Sequence, residues 1–172
     1  MISFFFEKSF DSILYLQNMK TSTLNDIKKD LEKRDFNELV DCCMKMAKFK
    51  KENKELLDFL LFESDDIHGY VNKVKLETEN LFAEINMKSI YYIKKSVRRI
   101  LKNVNKHIRF SMSKQVEIEL LIHFCNCIIT HSLPLNESVQ LNNIYKAQVK
   151  KIEEALSSLH PDLQYDFKRN LL

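Results

Sequence analysis

Glycine occurs once in this 172-residue chain, proline twice and tryptophan not at all. Turns and β-hairpins consume Gly, Pro and Asn-Gly pairs, so a β-rich fold has too few of them here. A single Gly also excludes a glycine-rich loop that cradles phosphate. No apolar run approaches the roughly 20 residues that a membrane-spanning helix needs. Neither C-x-x-C nor H-E-x-x-H occurs, which removes the short metal signatures. The four cysteines are Cys42, Cys43, Cys125 and Cys127. Adjacent cysteines pair poorly, and positions two apart on a helix point in different directions. The start of the chain, MISFFFEKSF, has no basic segment before its Phe run, and Glu7 and Lys8 interrupt the apolar stretch, unlike a secretory signal. The expectation is a cytoplasmic protein with reduced, mostly buried thiols.

What is present points to helices. Apolar residues make up 45% and charged residues 30%, a mixture ordinary for globular chains. Asp35 with Glu38 three residues on matches a capping box, and Thr21 to Thr23 offer a helix start before Leu24. Leu56, Leu57, Leu60 and Leu61 in KKENKELLDFLLF are expected to face a core. Ser64 with Asp65 and Asp66, Ser89, Ser113 and Ser138 each stand ahead of a run with helical apolar spacing. Pro161 suits a first helical position. Helices are expected near 65–86, 89–110, 113–132 and 138–158, with 113–132 the most buried because its apolar arc is widest. Short links between long helices make neighbours antiparallel. The fold class is therefore all-α: stacked antiparallel helical hairpins, as a bundle or a short superhelical array, with about seven to eight helices. Residues 19–172 are expected to form one all-helical domain. Residues 1–18, with Phe6, Phe10, Ile13 and Leu14 in a partial stripe, read either as a docking helix or as an extension ahead of a natural start at Met19.

ENKELLDFLLF, GYVNKVK and IKKSVRRILK together resemble an uncharacterised all-helical domain-of-unknown-function family of bacterial proteins. The resemblance covers about residues 20–170 and rests on apolar and charge patterns. It implies a small helical cytoplasmic protein and brings no functional residues with it.

The charge is divided into blocks. The net charge is +3, from 27 Lys and Arg against 24 Asp and Glu. No acidic residue lies between Glu84 and Glu117, and nine Lys and Arg do. Residues 52–84 hold nine acids and three bases, net −6. At about 100° per residue, Lys95, Arg98, Arg99, Lys102, Lys106 and Arg109 share an arc of roughly 100°, opposite Ile90, Ile93, Val97, Ile100, Leu101, Val104 and Ile108. Tyr91 falls beside the basic arc. The plainest reading is a solvated outer face, partly neutralised by the acidic segment. An anionic protein partner ranks next, nucleic acid after it, and a membrane surface last, since no Trp anchors the helix at an interface.

No pattern carries catalysis. Glu119, His123, Cys127 and His131 recur every four residues, but His123 and His131 stand about 12 Å apart along a helix, too far for one ion. A thiol in an apolar helix is normally inert. The chain is therefore not expected to be an enzyme or to hold a metal or cofactor. The favoured function is a protein-interaction or scaffold module, with a nucleic-acid-binding regulator using helix 89–110 as the alternative. A small enzyme or ligand-binding bundle comes third. The oligomeric state and the identity of any partner are open at this point.

Overall fold

The computed structural model describes residues 21–170, so both readings of residues 1–18 lie outside the described residues. Among the described residues every regular element is helical, and the expected all-α class holds. The chain divides into two compact units at Lys54/Glu55.

The first unit contains α1 (Leu24–Leu31) and α2 (Phe36–Phe49). Both start as local chemistry dictates. Thr23 accepts from the Asp26 amide, and the Asp26 side chain returns the bond, closing a capping box. Asp35 and Glu38 do the same for α2, with the Glu38 amide 2.9 Å from Asp35 Oδ1. Neither helix contains a buried residue. Phe36 is 77% exposed and Phe49 86%. Cys42 and Cys43 are half-buried, so only the other two thiols meet the expectation of burial.

The second unit is built from the end of α3 (Lys51–Asp58), a π-turn at Phe59–Glu63, and α4 (Ile67–Ala83), α5 (Ile90–Ser111), α6 (Lys114–Thr130), α7 (Val139–Ser157) and α8 (Pro161–Asn170). The caps fall where the sequence puts them. Ser89, Ser113 and Ser138 accept from the amides of Tyr91, Val116 and Leu141. At α4 the cap is Asp66, which accepts from the Gly69 amide at 2.9 Å, two residues after the expected Ser64. The π-turn corrects the expectation for 56–61. The Ser64 amide bonds back five residues to the Phe59 carbonyl, which rotates the following side chains out of helical phase. Phe59 becomes the buried residue, Leu56 and Leu57 are half-buried, and Leu60 and Leu61 face solvent.

α6 is the centre of this unit and packs against α4, α5 and α7. Nine of its residues are buried, from Val116 to Ile128. That matches the expectation from its wide apolar arc, although Ile129 is exposed. Phe82 of α4 meets Phe124 edge-on and stacks beside His131. α7 contributes Leu141, Ile152, Ala155 and Leu156, together with the polar Gln148. No helix of the described residues is long and apolar enough to cross a membrane.

Candidate interaction surface on the basic helix

α5 separates its two faces cleanly. Ile93, Val97, Ile100 and Val104 are buried in the core. Lys95, Arg98, Arg99, Lys102 and Arg109 are exposed on the other side. Among the described residues, Lys95, Arg98, Arg99 and Lys102 make no ion pair or hydrogen bond through their side chains.

Lys106 departs from the expectation of an exposed arc. Its ammonium lies 2.8 Å from Glu55 Oε2, and its side chain is only 20% exposed. Phe59, one turn after Glu55, anchors this end of the chain. Phe59 packs 4.6 Å from Tyr70 and 6.4 Å from Phe110, ring centre to ring centre. That brings the end of α3 over the C-terminal half of α5. The acidic segment therefore reaches the basic stripe at Lys106 and leaves the four cations at 95–102 without a tie to it. Two further carboxylates of the segment are engaged: Glu63 holds Lys73 at 2.7 Å, and Glu77 accepts from the Asn103 side-chain amide on the flank of α5.

Tyr91 and Tyr92 stand at the N-terminal end of the stripe, 63% and 49% exposed, their rings edge to face at 5.4 Å. Along the flank of α5, where the basic stripe meets the core face, runs an open groove of about 520 Å³. Arg98, Lys102, Asn105 and Arg109 line it with Leu101 and Ile108, and Glu117 of α6 closes one side.

Two polar clusters test for chemistry. In the first, Tyr70 Oη and His107 Nδ1 are 2.6 Å apart. Burial holds the phenol well above its ordinary value, reinforced by Glu63, Glu77 and Glu55. Burial, aided by Lys106, lowers His107. The hydroxyl and the imidazole share one hydrogen bond, while Nε2 is buried without a hydrogen-bond partner, 3.8 Å from a Glu77 oxygen. A cleft of about 260 Å³ adjoins this pair, but both of its lysines are already paired, Lys73 with Glu63 and Lys106 with Glu55. Sequence reasoning missed this pair. Its members are 37 residues apart, and nothing local links a tyrosine on one helix to a histidine on the next.

The second cluster gathers His123, Cys127 and Glu79. Cys127 Sγ and Glu79 Oε1 both approach Nε2 of His123, at 3.6 and 3.5 Å, and the Lys75 carbonyl oxygen lies 3.2 Å from the same atom. A relay that activates a thiol needs the two ring nitrogens for two partners; here one nitrogen faces all three. Burial pushes the Cys127 thiol up to about 11 and Cys125 up to about 12, which keeps both protonated. Glu119, expected on the same stripe, bonds Lys75 instead. Among the described residues no three His, Cys, Asp or Glu side chains converge to hold a metal ion.

No protein-family model, curated protein or solved structure matches this chain.

Proposed function

We propose that this chain is a helical protein-interaction module, not an enzyme, and that it docks an acidic protein partner on the outer face of α5. One observation carries the reading. Four cations, Lys95, Arg98, Arg99 and Lys102, are exposed and without partners among the described residues, on a face the fold does not use. Their mutual repulsion is weak through screened water, so it costs little to keep them and stability does not demand them. A surface held at one sign steers and selects partners of the other. The buried, protonated thiols and the singly presented His123 nitrogen support a binding role over a catalytic one. Four free cysteines accord with a reducing compartment such as the cytoplasm.

A nucleic-acid reading has one observation in its favour: the exposed Tyr91 and Tyr92 offer rings on which bases stack, beside cations that meet phosphates. The experiment that decides is affinity purification of the tagged chain from its host, with and without nuclease. It is run beside a variant with Lys95, Arg98, Arg99 and Lys102 changed to Gln. A protein partner that survives nuclease, leaves at about 0.5 M salt and is absent from the variant supports the proposal. A folded variant that keeps every partner overturns it. A partner lost to nuclease selects the alternative.

A further inference from the structure

We infer that the groove along α5 seats an acidic amphipathic helix, whose apolar residues lie on Leu101 and Ile108 while its carboxylates meet Arg98 and Lys102. This rests on the reading that the outer face of α5 binds an anionic partner, and it goes further by naming what the partner presents.

The argument starts from the lining of the groove. A surface that only attracts charge needs no apolar strip. Here Leu101 and Ile108, both half-buried, form a strip beside the cations. They are two turns apart on one helix face, as are the apolar contacts that a docked helix presents at i and i+7. Arg98 and Lys102, four residues apart, stand exposed along the outer rim. Asn105, half-buried, lies between the two apolar side chains and adds no charge. From Arg98 to Arg109 the groove spans about 16 Å of helix axis, or about three helical turns. An extended anionic chain, protein or nucleic acid, could follow the cations alone. Only a ligand with an apolar stripe also covers Leu101 and Ile108, and removing that surface from water adds to the binding. Glu117 on the far wall is already held by Lys114 at 2.7 Å, so the charges that orient a ligand's acidic side are Arg98 and Lys102 on the outer rim.

The test uses three probes of similar length on the full chain. One is a synthetic helix of about 14 residues with Leu at i, i+3, i+4 and i+7 and Glu between them. The second is poly-glutamate, and the third a single-stranded oligonucleotide. The Leu/Glu helix is expected to bind at least about tenfold tighter than poly-glutamate, a difference within the reach of two buried apolar contacts. Asn105→Trp fills the groove without touching a charge, and it is expected to weaken the Leu/Glu helix about tenfold while leaving poly-glutamate unchanged. The four-Gln variant is expected to weaken both. Methyl NMR on the unsubstituted chain gives a second reading that needs no variant: the Leu101 and Ile108 methyls should shift with the Leu/Glu helix and not with poly-glutamate. Equal binding of the helix and poly-glutamate, with the four-Gln variant weak for both, overturns the groove and leaves the basic face standing. Binding of the helix unchanged in the four-Gln variant overturns the basic face itself. An oligonucleotide that binds tighter than the helix, without shifting those methyls, also overturns the inference.

Discussion

Lys102 and Lys106 sit one turn apart on the same stripe of α5, yet their surroundings differ. Lys102 is exposed and Lys106 is held against Glu55. Helical phase puts both on the outer face, and the acidic 52–84 segment was expected to neutralise part of it without showing at which cation. What separates them is a partner 51 residues earlier in the chain. Replacing Lys106 by Gln removes a 2.8 Å ion pair that is largely shielded from solvent, so we expect a loss of about 1 kcal/mol. The four-Gln variant at 95, 98, 99 and 102 should stay within about 1 kcal/mol of the natural chain. Urea melts measure both. A Lys106→Gln variant as stable as the natural chain would show that the pair adds nothing.

Histidine supplies a second residue-scale expectation. Burial lowers both His107 and His123, so the folded chain holds them neutral where the unfolded chain takes up protons. Around His107 stand Tyr70, Glu77, Glu55 and Lys106; around His123 stand Lys75, Glu79, Glu119 and Cys127. The stability these neutral rings contribute is present above the ordinary imidazole value of about 6.5 and is lost as pH falls below it toward the lowered folded values. The melting midpoint should therefore drop between about pH 7 and pH 5. A His107→Gln, His123→Gln variant should show a flatter profile over that window, whatever its stability at pH 7. A slope no shallower than that of the natural chain would mean that the carboxylates govern the window.

At the scale of elements, the caps and the long apolar stripes were legible because both are local. A Ser before an apolar run satisfies orphan amides wherever the chain goes next. The π-turn was not legible. It inserts one residue into the helical count, and no residue type in FLLFE announces it; the choice of Phe59 over Leu60 as the inward side chain depends on Tyr70 and Phe110 waiting across the unit. The breadth of the α6 stripe was the most reliable signal, since a helix apolar around most of its circumference has to sit centrally. Leu121 of α6 is fully buried, and Leu121→Ala should cost about 3–4 kcal/mol, transfer and cavity together. Ser113→Ala, which removes the α6 cap, should cost about 1 kcal/mol. Thermal and urea melts of the two variants test the order. If the cap substitution were the costlier one, the centrality of α6 would be in doubt.

For the whole molecule, the contrast between the two units carries the last expectation. In the second unit, α6 is surrounded by three helices and buries nine residues. In the first, α1 and α2 are well capped and amphipathic, yet none of their residues is buried. Propensity and caps alone hold short helices only marginally, because most helical stability in proteins comes from covering an apolar face. The sequence showed where those helices start and could not show whether anything covers them, just as it showed a basic arc and could not show its occupant. Both are properties of a surface, which folding leaves free to vary. Amide hydrogen exchange on the full chain reads the difference directly. Amides of α6 should open only with global unfolding, while those of α1 and α2 should open locally at a small fraction of that free energy. Slow exchange throughout Phe36–Phe49, matching α6, would contradict this. It would mean that the face carrying Phe36, Val40 and Met44 is covered in solution, and dilution would then tell a second copy, which releases it, from the chain's own residues, which do not.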